Sequence, residues 1–345
     1  MVLMLNEINE QPEVLKRCME KNKDSVKKLA EEIRKRNIEW IYIAARGTSD
    51  HAGIYGKYII ESELGIPVAL AAPSVFTLYQ KSVNFKNGMV IGISQSGKAA
   101  DVLEVIKSAK SQGALTVSIT NFPDSPMAQE ANFHLDLSAG LEKSVAATKT
   151  FTSQMLVLAL LVAELSGNDE LKKELSLVPE NISHILSTAD TIKNKVERYR
   201  FISECFVLSR GMNYAIALES ALKIQETTYT RAKAFATSDF QHGPIAMVDK
   251  NIPVIVYAPD GPSLKDTEAM IDKLAELGIE LIVVSNKRSV LDKGTCSLSI
   301  PHTANDIISP FYNAVVAQLF ACNLSLAKGL NPDSPRMLSK VTITK

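Results

Sequence analysis

Ile93-Ser94-Gln95-Ser96-Gly97 brings two hydroxyls, a neutral amide and a glycine into five residues. Those types suit an anion. Main-chain and side-chain donors can converge on one oxygen-rich group, and Gly97 lets the backbone approach it closely. The apolar run at 89–94 reads as a strand and the stretch 99–112 as a helix, so the turn is expected where a strand ends and a helix begins. A helix start offers free N–H groups and the positive end of the dipole. Neither G-x-x-x-x-G-K-[ST] nor G-x-G-x-x-G follows a strand, so the common nucleotide loops are absent. By local chemistry alone, a serine-rich helix cap explains the same residues equally well.

Arg46-Gly47-Thr48-Ser49 ends another apolar run, 40–45. In isolation it reads first as a helix start capped by Ser49 or Asp50. If the strand before it lies beside the strand before Ser94, Thr48 and Ser49 face the same pocket. Glu219, Lys223 and Glu226 follow the spacing i, i+4, i+7 and share one helix face. A solvated Glu–Lys pair would explain them, but Ala215, Ile216, Ala217, Leu218, Ala221, Leu222 and Ile224 surround them, and charges on a buried helix need a partner or a task. His242 stands in the polar segment 238–244, which ends in a Gly-Pro breaker. The other histidines, His51, His134, His184 and His302, form no H-x-x-x-H pair, and no C-x-x-C is present, so no metal is expected. The absence of G-x-S-x-G leaves a hydrolase triad unsupported.

These residues need elements to hold them. Val14, Cys18, Val26, Leu29 and Ile33 recur at helical spacing, which predicts helix over most of 1–37. Strands are expected at 40–45, 67–72, 89–94, 114–120 and 133–137, with helices between. Helix is expected from 142 to 165 and again at 170–198. The first pattern then returns, with strands at 205–209, 253–258, 280–285 and 295–300, a helix ending at Tyr229, and helices at 264–277 and 309–328. Strands apolar on both sides, alternating with helices, mean parallel sheets covered on both faces. AARGTS and LSRGMN each follow an apolar strand and open a helix, so the α/β domain reads as duplicated.

Composition agrees. The 345 residues are 46% hydrophobic, more than one core usually holds. Lys+Arg and Asp+Glu are both 38, and this even balance argues against a protein that tracks nucleic-acid phosphates. Cys18, Cys205, Cys296 and Cys322 are expected as buried, reduced thiols. The longest apolar run, 155–163, falls short of the ~20 residues that cross a bilayer. The N-terminus has no basic segment of a signal peptide. A cytoplasmic protein without membrane contact is the expectation.

ISQSG, the segment 142–151 (ExSVAATKTF), ALESALKIQE, HGP and DSPRMLSKVT at 333–342 occur in one order, and together they resemble the SIS (sugar isomerase) domain family. Within it they are similar to the isomerase half of glucosamine-6-phosphate synthase and to SIS-type glucosamine-6-phosphate deaminases. The resemblance implies two tandem flavodoxin-like SIS domains, each a parallel sheet covered by helices on both faces. It divides the chain into an N-terminal helical segment (1–37), a first SIS domain (38–166), a linking helix (167–199), a second SIS domain (200–330) and a tail that closes the active site (331–345). It implies phosphate binding by Ser94, Gln95 and Ser96, further substrate contacts from Thr48, Ser49 and Val145, and catalysis by Glu219, Lys223, Glu226, His242 and Lys340. It also implies a homodimer in which His242 crosses to the neighbouring subunit, a sugar-phosphate ligand, and no cofactor.

The implied reaction takes glucosamine 6-phosphate and water to fructose 6-phosphate and ammonia. Family alternatives are a fructosamine-phosphate deglycase, a galactosamine-phosphate deaminase, a synthase isomerase domain lacking its glutaminase, and a non-catalytic sugar-phosphate sensor. The sensor is disfavoured because every implied catalytic residue is present. Three departures stand out. A family hydroxyl falls on Ala99, where Lys98 is the nearby charge. Arg46 replaces a cysteine of the synthase. Only a helix precedes the first strand, so glutamine is not expected to serve as ammonia donor.

Overall fold

Ten short β-rich runs form two parallel sheets in the computed structural model, which describes residues 2–340. The first contains β1 (Trp40–Ala44), β2 (Val68–Leu70), β3 (Gly88–Ile93), β4 (Leu115–Thr120) and β5 (Phe133–Asp136), in the order β2-β1-β3-β4-β5. The second contains β6 (Glu204–Ser209), β7 (Arg231–Ala236), β8 (Val254–Tyr257), β9 (Leu281–Ser285) and β10 (Cys296–Ser299), in the order β10-β9-β8-β6-β7. Counted from its own first strand, each sheet reads 2-1-3-4-5, the flavodoxin-like order. The two halves therefore repeat the same fold, as the paired Arg-Gly motifs predict. Every strand pairing is parallel. β3, β4, β8 and β9 are buried along their whole lengths, so helices cover both faces.

Packing divides the chain into two units. One holds residues 13–142, 149–177 and the described tail residues from 339, and carries β1–β5. The other holds 2–12, 143–148 and 178–338, and carries β6–β10. The core of the β1–β5 unit joins Tyr42, Phe85, Val90 and Ile106. In the same unit, helix Thr48–Leu64 lies along helix Lys149–Ser166. The latter is long and apolar enough to cross a membrane by length and composition, but 78% of it is buried inside the protein. In the β6–β10 unit, helix Tyr214–Thr228 lies along the buried helix Ser309–Ala327.

The sequence reading needs correction at four places. β7 was not anticipated. RAKAFA carries two cations and is exposed at alternate positions, because it is an edge strand with one wet face. The helix expected from 142 starts only at Lys149. Residues 143–148 bond elsewhere: the buried Glu7 carboxylate accepts from Lys143 N and from the N–H and hydroxyl of Ser144, and Val145 N donates to Asp333 O at 3.4 Å. The helix expected at 170–198 breaks between Ser187 and Ala189. There Ser187 and Thr188 hydroxyls donate to His184 O and Ile185 O and compete with the backbone ladder. Finally, Asn9 ends one N-terminal helix and Gln11 begins another. Residues 341–345, the end of the expected tail, lie outside the described residues, as does the close of the DSPRMLSKVT motif.

Phe206, Phe235 and Phe240 form an aromatic cluster with ring centroids 5.4–6.3 Å apart, and Phe240 anchors the short helix Thr237–Gln241 that precedes His242. Phe240→Ala should destabilise the β6–β10 unit by about 3–5 kcal/mol, read from urea unfolding.

Candidate active site

In the β1–β5 unit the strand order reverses between β1 and β3, the place where open α/β sheets bind ligands beyond their carboxyl edge. Ala44 pairs with Gly92, so the loops that begin at Ala45 and Ser94 leave neighbouring strands side by side. The condition set on Thr48 and Ser49 is met: their turn and the serine turn share one edge of the sheet.

The serine turn is held from several directions. Ser94 N donates to Ile119 O, Gly97 N to Ser94 O, Asn121 N to Gln95 O and Met127 N to Gly97 O, all at 3.1–3.3 Å. Gly97 has φ +63°, and a Cβ there would stand 2.1 Å from Ser125 Oγ, so glycine alone fits. The expected junction is looser than the sequence suggests. β3 ends at Ile93 and the next helix starts at Ala100, with Ala99 as its N-cap. Neither serine caps it; Ser96 Oγ accepts only from Lys98 N, at 3.3 Å. Among the described residues Ser94 Oγ and the Gln95 side chain have no hydrogen-bond partner. The cap explanation therefore fails here, and the donors remain available.

Thr48 opens helix Thr48–Leu64 behind the N-cap Gly47, and no side chain caps it. Ser49 is buried, and its hydroxyl accepts from Gln154 Nε2 at 2.9 Å. That bond fixes its oxygen and leaves its proton for a ligand. Lys340 reaches Glu142 in the same unit, with Nζ 2.6 Å from Oε2. Glu142 is buried and also accepts from Thr150 Oγ1 and N, at 2.8 and 3.2 Å. Sequence reasoning named Glu142 only as the start of a motif. A carboxylate that begins a largely uncharged segment was the signal that it needed a cationic partner.

In the β6–β10 unit, helix Tyr214–Thr228 buries Glu219 and Lys223 almost completely, which rules out a solvated face. Lys223 Nζ lies 2.6 Å from Glu226 Oε2 and 3.4 Å from Glu219 Oε1. Burial pushes the Lys223 ammonium down, but the two carboxylates outweigh it and raise its pKa to about 12. Lys223 therefore stays an ammonium. Glu226 is the member with access to solvent, its side chain 21% exposed. His242 caps the end of helix Thr237–Gln241 and is exposed; its N–H donates to Asp239 O at 3.0 Å. Val145 is half-buried in the segment held by Glu7.

The β6–β10 unit has a switch point of its own, between β6 and β8. Its turn, 258–263, is filled by the protein. Asp306 Oδ1 lies 2.5 Å from where a Gly261 Cβ would stand. Burial raises the Asp306 carboxyl above the usual carboxylate range, against the nearby Ser263 hydroxyl and N–H. Neither Asp306 Oδ1 nor Ser263 Oγ completes a hydrogen bond. The Asp306 side chain fills this turn, so the turn with unused donors among the described residues is the one at Ser94–Gly97. The four thiols are buried and free, as expected, and burial raises those of Cys18, Cys205 and Cys322 to about 12.

Lys223→Met should leave Glu219 buried without its cation and cost about 3–5 kcal/mol. Adding Glu219→Leu should recover most of that loss, as a double-mutant unfolding cycle would report.

Residues 32–164 and 203–328 match the SIS domain family. A glutamine–fructose-6-phosphate aminotransferase (isomerizing) from Methanothermobacter thermautotrophicus is 36% identical over 98% of this chain, and the match covers 56% of that protein. An Escherichia coli protein of the same name is 36% identical over 88% of the chain and 51% of its own length. The chain thus spans about half the length of the curated relatives it matches. The C-terminal domain of glucosamine-fructose-6-phosphate aminotransferase from Francisella tularensis superposes with TM-score 0.87 at 28% identity, over 96% of this chain and 98% of that one. In fold alone, glucosamine-6-phosphate deaminase from Thermotoga maritima superposes with TM-score 0.78 at 22% identity, over 99% of this chain and 100% of that one. With both repeats matched, each on its own 2-1-3-4-5 sheet, the chain belongs to the SIS domain family.

Proposed function

We propose that the chain is a phosphosugar enzyme that converts glucosamine 6-phosphate and water to fructose 6-phosphate and ammonia. The observation that carries this reading is the charge triad in the apolar helix Tyr214–Thr228: a buried ammonium aligns two carboxylates, and of the two only Glu226 reaches solvent. Such a carboxylate can move a proton between adjacent carbons.

The serine turn anchors the phosphate, and Thr48 and Ser49 hold sugar hydroxyls. That remote contact contributes binding while the reacting carbons stay free to change shape. His242, supplied by the neighbouring subunit of a homodimer, moves the ring proton that opens the sugar. Glu226 takes the C2 proton, giving an enolamine with the hydroxyl on C1 and the amine on C2. Return of the proton to C1 forms the C2 imine. Water adds to C2, the C–N bond breaks with its electrons on nitrogen, and ammonia leaves. Val145 lines the sugar. Glu219 and Lys223 orient Glu226, and Lys340, steadied by Glu142, neutralises the open-chain oxygen.

The 36% identity to aminotransferases favours a second reading, in which the same steps run toward glucosamine 6-phosphate with free ammonia supplied. Ammonia release from glucosamine 6-phosphate, and its uptake with fructose 6-phosphate, measure both directions. A chain inactive in both, and on a panel of other amino-sugar phosphates, refutes the enzyme reading.

Glu226→Gln should cut C2-proton exchange with deuterated solvent by roughly 10²–10⁴-fold while substrate still binds. Near-normal exchange would move the base to Glu219. Ser94→Ala with Ser96→Ala should weaken binding of fructose 6-phosphate and change the unfolding free energy by no more than about 1 kcal/mol, because among the described residues the Ser94 hydroxyl holds no other group and that of Ser96 holds only Lys98 N.

A further inference from the structure

Arg46 leaves β1 beside the serine turn, and its side chain is 53% exposed. Its Nε lies 2.6 Å from Oδ2 of Asp101, a buried carboxylate in the first turn of helix Ala100–Ser111. That contact uses one donor of a planar fork. Among the described residues the two terminal nitrogens have no partner. The guanidinium is therefore fixed at its base and open at its tip, at the helix start that follows Ser94–Gly97. That start has no side-chain cap, because Ala99 carries no oxygen. Lys98 is exposed and its side chain is held by nothing among the described residues, so its position is not set.

The repeat carries the same pair. Arg210 occupies the matching place after β6, and its Nε lies 3.2 Å from Oδ2 of Asp266, again in the first turn of the following helix. In that copy the Asp306 side chain fills the turn, with Oδ1 2.5 Å from a Cβ built at Gly261 and Oδ2 3.9 Å from one built at Gly211. The same strand order and Arg–Asp pair thus recur in both copies, and a carboxyl of the chain fills the turn in the second.

We propose that Arg46 is a substrate-binding residue whose two free guanidinium nitrogens grip the phosphate oxygens of the sugar phosphate, and that Asp101 is the positioning residue that aims it. This rests on the phosphosugar reading above and adds the group that selects a dianionic ester over a neutral sugar. Arginine suits the task through its planar fork and permanent charge. Lysine would supply charge without the bidentate geometry.

Calorimetric titration of the full chain with fructose 6-phosphate, inorganic phosphate and fructose tests this. The variants are Arg46→Gln, Arg46→Lys, the charge-balanced pair Arg46→Gln with Asp101→Asn, and Ser94→Ala with Ser96→Ala. Loss of a charge-assisted contact should weaken both phosphate probes by roughly tenfold to a hundredfold in Arg46→Gln and in the balanced pair. The salt dependence of binding should become shallower in both. Arg46→Lys should recover part of the affinity and most of the salt slope. The balanced pair also removes the buried carboxylate, so an unfolding curve like that of the parent chain excludes a folding artefact. If the balanced pair binds fructose 6-phosphate like the parent while the serine variant does not, Arg46 only neutralises Asp101 and the proposal is overturned. If the parent chain binds neither phosphate probe, the phosphosugar reading falls, and this assignment with it.

Discussion

In a parallel sheet every strand ends at the same edge, and in each unit of this protein that one constraint decides where chemistry can occur. Parallel pairing sends the main-chain turns after β1 and β3 out side by side. It also requires the connecting helices to start near that edge, with their N–H groups facing the emerging loops. The serine turn and the Thr48–Ser49 turn come from segments about fifty residues apart in the chain. No local signal in either could have joined them. Their common edge does so by geometry.

The charge triad of the other unit shows a different economy of forces. Glu219 and Lys223 sit in a helix that otherwise buries alanine, leucine and isoleucine. A lone charge is costly in such surroundings. Here Lys223 lies between two carboxylates and stays an ammonium. The ammonium makes Glu219 tolerable and fixes the rotamer of Glu226. A buried ion pair of this kind gives little net stability. Its value lies in direction, since a carboxylate tied through one oxygen presents the other in a defined way.

How much of this was legible in the sequence varies by residue and for physical reasons. The central strands were clear because burial on both faces demands continuous apolar runs, as in β3 and β9. β7 was not, since an edge strand such as RAKAFA carries cations on its wet face. The segment 143–148 read as helix because its composition allows one. Its first two amides are instead taken by Glu7 and the third by Asp333 O, each more than a hundred residues away, and no window of sequence reveals such partners. The i, i+4, i+7 spacing of Glu219, Lys223 and Glu226 was visible at once, being local. The Lys340–Glu142 and Arg46–Asp101 pairs were hidden for the opposite reason.

Asp306 has a consequence for how the two copies of the fold differ. That side chain belongs to the chain, so the turn at 258–263 is filled whenever its unit is folded. Its packing answers to an internal neighbour and not to what the solution contains. Two copies of one fold thus place different things at equivalent turns: in one a carboxyl of the chain, in the other hydroxyl and amide groups that the described residues leave unused.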